Sequence, residues 1–300
     1  MKNYFKVSVL SLVTLWSIST MAQNPSGNKP PQPPSAEQLR SKRIVLSVPG
    51  MERAKVQKDI VYKRVDGEVL KMDVYSPPAP RASKLPAILF IHGGPLPESF
   101  PLPPREWGVF VSYGQYAAAS GLIGVTFNHR FHSPEKIMDA QSDIDAALQY
   151  VRSHADVLGV DPHHIALWGF SGGGPFLSHF LREPDPDIRC IVAFYTLLDV
   201  RPSRAESPGL SEKTLDEFSP VLALTESRGN IPPILIGRAG LDNAMLNSTI
   251  DAFIAEAMKK NLMIDVSNHP EGVHAFDIRN DDARSREIIQ HAMEFIKAHI

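Results

Sequence analysis

Several features that define other classes of protein are absent from this chain of 300 residues. Its single cysteine, Cys190, excludes a disulfide within the chain, and its apolar neighbours predict a buried thiol. The formal net charge of −2 provides no excess of positive charge for binding nucleic acid. The histidines at 129, 132, 163 and 164 lack acidic or cysteine partners at zinc-like spacing, so we expect no metal and no other cofactor.

The N-terminal segment lacks an apolar run long enough to favour a membrane span. Residues 7–18 are apolar, which is shorter than the roughly 20 residues that a membrane-crossing helix needs. Lys2 and Lys6 lie before this run, and Thr20 and Ala22 occupy the small-residue positions of a signal-peptidase site after it. This pattern predicts a signal peptide over residues 1–22, cleaved after Ala22, and therefore a secreted or periplasmic protein. A retained N-terminal anchor is the alternative interpretation.

A proline-rich segment follows the predicted cleavage site. Five prolines stand between Pro25 and Pro34, a density that neither a helix nor a central strand tolerates. We therefore predict a linker over residues 23–45 and one folded domain over residues 46–300.

The predicted domain alternates strand-like with helix-like segments. Two strand-like runs flank Asp66-Gly67, a hairpin signal, within residues 59–75. Continuous apolar runs are typical of parallel strands covered on both faces, and helical apolar stripes separate several of them. We predict an α/β fold with a mostly parallel central sheet, an N-terminal antiparallel hairpin and helices on both faces. The apolar runs occupy residues 85–91, 121–127, 164–170, 190–195 and 232–237, and the stripes lie within 139–155, 250–257 and 288–296.

One serine stands in a setting that suits a nucleophile. Ser171 is the centre of Gly169-Phe170-Ser171-Gly172-Gly173, a Gly-x-Ser-x-Gly motif that follows an apolar run and precedes a helix-like stretch. A strand–turn–helix of this kind holds its serine in a strained, exposed turn, and the small neighbours avoid collisions with adjacent backbone.

A serine hydroxyl needs a base and an orienting acid, and two later loops offer both. Asp242 follows the apolar run at 232–237, and His274 follows a strand-like segment further on. We favour His274 over His269 as the base and Asp242 over Asp265 and Asp251 as the acid. A helix N-cap is the alternative role for Asp242.

Residues 90–95, FIHGGP, are the predicted second half of the site. Gly93 and Gly94 follow an apolar strand and leave backbone N–H groups uncovered, as an oxyanion hole requires. Gly172, after the nucleophile, is expected to supply a further donor. His92 is predicted to orient this loop and not to act as the base.

These ordered motifs resemble those of α/β-hydrolase fold carboxylesterases, over roughly residues 58–300. The nearest groups are the hormone-sensitive-lipase-like esterases and the secreted feruloyl- and acetylxylan-esterase-like proteins. The resemblance implies Ser171 as nucleophile, His274 as general base and acid, Asp242 as orienting acid, and Gly93, Gly94 and Gly172 as oxyanion donors. The motifs that carry it are ILFIHGGP, GVTFNHRF, the segment from DIDAALQYV to GFSGGG, AGLDNAMLN and EGVHAFD.

Two departures from the lipase-like pattern concern the oxyanion hole. His-Gly-Gly-Gly is usual there, whereas this chain has Pro95, which carries no N–H, at the last position. The oxyanion hole is therefore expected to use the N–H groups of Gly172 and Gly94. The sequence does not decide whether Gly93 contributes a further donor. Gly172 also replaces the alanine of the SAGG version, which favours the polysaccharide-esterase and dienelactone-hydrolase-like branch.

Two segments near the site are expected to control the substrate. Residues 93–110 are proline-rich and carry Phe100, Trp107 and Phe110, and residues 197–220 form a short insertion suited to a small cap. We predict an esterase for short acyl groups whose partner is a small-molecule or carbohydrate ester. The alternatives are a peptidase of the prolyl-oligopeptidase type and a non-catalytic binding protein on the same fold.

Overall fold

The computed structural model describes residues 34–78 and 83–300. The predicted signal peptide and residues 23–33 of the predicted linker lie outside these ranges. Within them, one eight-stranded sheet has the strand order β1-β2-β4-β3-β5-β6-β7-β8. Its strands are β1 Lys55–Val65, β2 Glu68–Ser76, β3 Leu85–Ile91, β4 Ile123–Phe127, β5 Val160–Phe170, β6 Ile188–Phe194, β7 Ile234–Ala239 and β8 Ile264–His269.

The sheet begins with the predicted antiparallel hairpin. β1 pairs with β2 across Asp66 and Gly67, which both have positive φ, of 52° and 81°, as a tight hairpin turn between twisted strands requires. β2 also runs antiparallel to β4, and every later neighbour pair in the sheet is parallel. The predicted α/β architecture is therefore confirmed.

Helices cover both faces of the sheet because successive side chains of a strand point to opposite sides. On β3, Leu89 packs with the cluster around α3, α5 and α8, whereas Phe90 packs with the cluster around α2 and α10. The helices are α1 Ala36–Ser41, α2 Gly108–Ala119, α3 Ile137–Ser153, α4 Ala155–Leu158, α5 Leu177–Arg182, α6 Glu212–Glu217, α7 Pro220–Glu226, α8 Ala244–Lys259, α9 Phe276–Arg279 and α10 Ala283–His299.

The packed structure begins before residue 46, where the sequence predicted the domain to start. Ser35 caps α1 in a capping box with Gln38, and the side chains of Leu39 and Ile44 are buried. The last part of the predicted linker, residues 34–45, is therefore packed against the domain. Two apolar residues in this short polar segment supply the hydrophobic contact that proline density alone did not reveal.

A short 3-10 helix separates Ser171 from the helix-like stretch predicted after the motif. Ser171–Phe176 forms a 3-10 helix, and the α-helix α5 begins only at Leu177. Three glycines and Pro175 occupy this stretch, and neither residue type favours an α-helix. The chain leaves the nucleophile through a tight turn as a consequence.

Short helices fill the predicted cap position between β6 and β7. A 3-10 helix, Arg201–Glu206, is followed by α6 and α7, whose N-caps are Ser211 and Ser219. Ser219 also donates a hydrogen bond to Asp199, which anchors the cap to the end of β6.

Three observations on the described ranges bear on the sequence predictions. Cys190 is fully buried on β6, and burial raises the pKa of its thiol to about 12. No helix there is both long and apolar enough to cross a bilayer. No cluster of three or more His, Cys, Asp or Glu side chains is arranged to hold a metal ion there either.

Candidate active site

The predicted site residues converge at the carboxyl ends of the parallel strands. Ser171 follows β5, the glycine loop follows β3, Asp242 follows β7 and His274 follows β8. Parallel strands gather their carboxyl-end loops at one edge of the sheet. Residues far apart in the chain therefore meet there.

The backbone at Ser171 has the strained conformation expected of a nucleophile at a sharp turn. Its φ of +52° lies in the left-handed region, which costs a residue with a side chain roughly 1–2 kcal/mol. A β-carbon placed on Gly93 would lie 2.8 Å from the Ser171 β-carbon, and one on Gly173 would lie 2.8 Å from the Ile91 carbonyl oxygen. These glycines allow the turn to sit directly against the end of β3.

Ser171, His274 and Asp242 form one continuous chain of hydrogen bonds. The Ser171 Oγ lies 2.9 Å from His274 Nε2, and His274 Nδ1 lies 2.7 Å from Asp242 Oδ2. The carboxylate accepts the Nδ1 proton, so Nε2 is left as the acceptor for the serine hydroxyl. This arrangement lets the imidazole take a proton from the serine.

The Asp242 side chain is held in place by its own loop. Its other carboxylate oxygen accepts the Asn243 N–H at 2.7 Å. Asn243, and not Asp242, caps the helix that follows, because its side chain accepts from the N–H groups of Met245 and Leu246. The alternative role considered for Asp242 therefore belongs to its neighbour.

The competing side chains lie elsewhere. His269, at the end of β8, is directed toward Asp282 and Ser285, within 3.2 Å of both. Asp265 pairs with His291, and Asp251 pairs with Arg238. The chain of hydrogen bonds to Ser171 uses none of the three.

The glycine loop and the turn after the nucleophile lie in direct contact. A β-carbon placed on Gly172 would lie 2.1 Å from the Gly94 carbonyl oxygen, a distance at which only glycine fits. The N–H groups of Gly93, Gly94 and Gly172 take no part in the loop hydrogen bonds of the described ranges. The peptide bond between Gly94 and Pro95 is cis.

Two buried histidine rings support the glycine loop from behind. His92 and His129 stack with their centroids 3.6 Å apart and their planes within 7° of parallel. The backbone N–H of His129 donates a hydrogen bond to His92 Nε2. The proton of the His92 ring therefore lies on Nδ1, which donates to the Gly93 carbonyl at 2.6 Å. His129 Nε2 bonds the His92 carbonyl at 3.1 Å.

Both rings of this pair are uncharged in the fold. Burial lowers the pKa of His129 to about 3, and burial together with the neighbouring His129 holds the pKa of His92 well below its usual range. A positive charge on either ring would have to be buried beside the other ring, which is costly. His92 therefore contacts the glycine loop, where the sequence predicted it, through its bond to the Gly93 carbonyl.

An apolar pocket opens over Ser171. Its empty space, including the open mouth, is about 830 Å³. The three aromatic residues predicted near the glycine loop all line it, and they contact one another through ring centroids 5.4 and 6.2 Å apart. The lining side chains include Leu96, Phe100, Trp107, Phe110, Phe170, Tyr195, His274 and Ile278.

A second apolar cavity lies on the other side of the glycine loop, beneath the cap. It has about 610 Å³ of empty space and shares Gly94 and Pro95 with the first pocket. Gly172 also lines it, so the candidate oxyanion donors stand between the two cavities. Its other walls include Phe131, Ile137, Leu197, Val200, Leu210, Leu215 and Met245.

Sequence reasoning missed a buried polar cluster behind His274. Asp277, three residues after His274, is completely buried and accepts hydrogen bonds from the hydroxyls of Tyr113 and Tyr195, each at 2.8 Å. The Tyr195 ring lies edge-on to the His274 imidazole, with centroids 5.0 Å apart. The only signal in the sequence is an acidic residue within the apolar stretch HAFDI.

Comparisons with known proteins find similarity to esterases. Residues 72–182 match the BD-FAE family model. Gut esterase 1 of Caenorhabditis elegans is 26% identical over 113 residues, covering 35% of this chain and 19% of that protein. A probable carboxylic ester hydrolase of Mycobacterium tuberculosis, LipM, is 30% identical over 125 residues, covering 35% and 29%. The chain spans less than a third of the length of the curated relatives it matches.

The solved structures extend the similarity to most of the chain. Esterase 2 of the planctomycete Thermogutta terrifontis superposes with a TM-score of 0.67 at 24% identity. The match covers 83% of this chain and 96% of that one. The chain therefore has the α/β-hydrolase fold, and the resemblance to esterases of that fold is confirmed.

Proposed function

We propose that this protein is a serine esterase that hydrolyses carboxylic esters of short acyl groups. The observation that carries the proposal is the hydrogen-bonded chain Ser171–His274–Asp242 at the carboxyl edge of an α/β-hydrolase sheet. The esterase names of its relatives and structural neighbours support the same reaction class.

The reaction would proceed through an acyl-enzyme. Ser171 Oγ attacks the ester carbonyl carbon while His274 Nε2 takes the hydroxyl proton, and Asp242 stabilises the resulting imidazolium. The N–H groups of Gly94 and Gly172, with or without Gly93, bind the developing oxyanion. The imidazolium then gives its proton to the leaving alkoxide. Water, deprotonated by the same imidazole, releases the acid and regenerates the serine.

The proposed preference for short acyl groups rests on the size of the site. The cap consists of three short helical segments, and both cavities are bounded by large apolar side chains. The structurally similar esterase 2 of Thermogutta terrifontis was solved with propionate and with butyrate bound. Acyl-decorated sugars are included in the proposal as the alcohol side of the ester, because the pocket over Ser171 is open to solvent.

A panel of p-nitrophenyl esters from acetate to decanoate tests the reaction, together with acetylated and feruloylated sugars and an aminoacyl anilide. We expect acetate and butyrate to exceed decanoate in kcat/KM, and Ser171→Ala to lower kcat by ~10⁵- to 10⁶-fold. Ser178→Ala is the matched control, since Ser178 is buried on α5 and has no hydrogen-bond partner.

Three outcomes would contradict the proposal. Faster turnover of decanoate than of acetate would refute the short-chain preference. Faster turnover of the anilide than of any ester would favour the peptidase. Failure of a fluorophosphonate probe to label Ser171 would favour a non-catalytic protein.

We also infer that residues 1–22 direct export and are removed, which gives a secreted or periplasmic protein. The inference is supported by Lys2 and Lys6 before a short apolar run and by the small residues Thr20 and Ala22 after it. Expression in a bacterial host followed by an intact-mass measurement tests it. The exported chain should begin at Gln23, and a mass that includes earlier residues would refute the cleavage site.

A further inference from the structure

The strongest unassigned feature is the carboxylate of Asp277, because three separate elements meet on it. Tyr113 reaches it from α2, Tyr195 from the end of β6, and Asp277 itself lies on α9, which follows the His274 loop. Both tyrosine hydroxyls donate to the carboxylate, one to each oxygen, at 2.8 Å. Hydrogen bonds to an ionised acceptor are about twice as strong as neutral ones.

Tyr195 connects this cluster to the base of the site. Its ring contacts the His274 imidazole and forms part of the pocket wall. Its own backbone is fixed by a hydrogen bond from its N–H to the Gly237 carbonyl at 2.7 Å. The neighbouring strand end carries Ser171, whose carbonyl accepts the Leu197 N–H. Tyr195 therefore stands between the loops that supply the nucleophile and the base.

The backbone around the cluster is strained in three places. Ser171, Tyr195 and Ala275 all have positive φ, of 52°, 39° and 60°. Each such conformation costs of order 1–3 kcal/mol and persists only where the surroundings hold it. Ala275 lies directly between His274 and α9, so anchoring Asp277 also holds the strained turn that carries the base.

We propose that Asp277, acting through Tyr195 and through its short link to His274, is a positioning residue for the catalytic imidazole. Its buried carboxylate fixes the His274 loop against the strand ends, and its negative charge favours the imidazolium that forms as Ser171 attacks. The inference rests on the proposed esterase mechanism, and it goes beyond the three residues of the hydrogen-bonded chain.

The ionisation of the cluster agrees with this role. Burial raises the pKa of Asp277 to about 6, while the two tyrosine hydroxyls and His274 act in the opposite direction. Burial and the Asp277 charge raise the pKa of both tyrosines well above their usual range, so they remain donors. Asp277 is therefore ionised at pH 8. The titratable groups that act on the cluster are Tyr113, Tyr116, Tyr195, Asp242 and His274.

The test compares Asp277→Asn and Tyr195→Phe with the wild-type chain and with Tyr116→Phe. The asparagine keeps the shape and removes the charge, and the phenylalanine keeps the ring and removes one hydrogen bond to the carboxylate. Tyr116→Phe is the matched control, because Tyr116 lies on α2 near Tyr113 but its hydroxyl does not bond Asp277. The readouts are kcat and KM for p-nitrophenyl acetate, the pH profile of kcat/KM, the rate of fluorophosphonate labelling and the thermal midpoint.

We expect both variants to lose about ten-fold or more in kcat with KM within two-fold, since a misplaced base slows the chemical step. In Asp277→Asn the acid limb of kcat/KM should move to lower pH, because the imidazolium loses a neighbouring negative charge that favours it. Fluorophosphonate labelling of Ser171 should slow by a similar factor in both variants. Tyr116→Phe should match the wild type in all of these readouts.

Two results would overturn the positioning role. One is kcat within two-fold of wild type in both variants with the acid limb unmoved. The other is a loss of activity that is fully explained by a smaller fraction of folded molecules. In that case the cluster would stabilise the fold without positioning the base. An unlabelled wild-type Ser171 is a different result, because it refutes the proposed esterase and with it any role for Asp277 in positioning a base.

Discussion

Replacing Gly172 by alanine is the most direct test of the geometry at the candidate oxyanion hole. The new β-carbon would lie 2.1 Å from the Gly94 carbonyl oxygen, where real contacts are essentially never below 3.0 Å. The two loops must therefore separate by about 0.9 Å. Both are backbone, so no flexible side chain can move aside to absorb the contact. The displacement falls on the N–H groups proposed to bind the oxyanion.

The size of the effect follows from that displacement. A misplacement of about 1 Å costs a reaction on the order of 10²-fold, and losing one oxyanion donor costs ~10²–10³-fold, or about 2.7–4 kcal/mol of transition-state stabilisation. We therefore expect Gly172→Ala to lower kcat for p-nitrophenyl acetate by at least ~10²-fold. The serine would still be labelled slowly by a fluorophosphonate, because its base is unchanged.

Gly159→Ala is the control for a glycine whose surroundings are open. Gly159 has φ +70° and no atom within 4 Å of the added β-carbon, and it ends α4 on another part of the chain. That variant should lose only ~1–2 kcal/mol of stability, from backbone strain, and keep its activity. If Gly172→Ala retained kcat/KM within threefold of wild type while folded, the contact between Gly94 and Gly172 would have no catalytic importance.

Two further predictions concern the surroundings of the site. Because His129 is neutral in the fold with a pKa of about 3, the unfolded chain binds its proton first as the pH falls below 6.5. The free energy of unfolding should then fall by ~2 kcal/mol from this residue between pH 6.5 and 4.5. In His129→Phe, the free energy of unfolding measured in urea should lose this part of its pH dependence. An unchanged pH dependence would refute the conclusion that His129 is neutral in the fold. Asp143→Asn should lower the free energy of unfolding in urea by ~3–5 kcal/mol, because buried Asp143 accepts hydrogen bonds from Arg130 and Lys63. The matched control Asp156→Asn, at an exposed position, should leave the urea midpoint unchanged.

The sequence alone was sufficient to locate the strands, because each strand carries a local signal. Continuous apolar runs marked β3 to β7, a strand-like segment before His274 marked β8, and Asp66-Gly67 marked the hairpin turn. The run at 85–91 coincides with β3, and the others differ from their strands by a few residues at the ends. Strand ends depend on pairing with neighbours, which a local pattern does not contain.

The three residues of the hydrogen-bonded chain were also readable from the sequence. Ser171, Asp242 and His274 each follow a strand, and parallel strands bring their carboxyl ends together. The structure places them within hydrogen-bond distance. Their catalytic roles stay a proposal that the ester panel tests.

Only the tertiary structure decided which side chains support these three. The stack of His92 on His129, the cluster of Asp277 with Tyr113 and Tyr195, and the packing of residues 34–45 all join segments far apart in the chain. All three features depend on burial and on how closely two backbone segments approach each other. A local run of residues encodes neither of these properties. The pattern of strands and loops fixed where Ser171, Asp242 and His274 stand, and the packing behind them decided which side chains hold them in place.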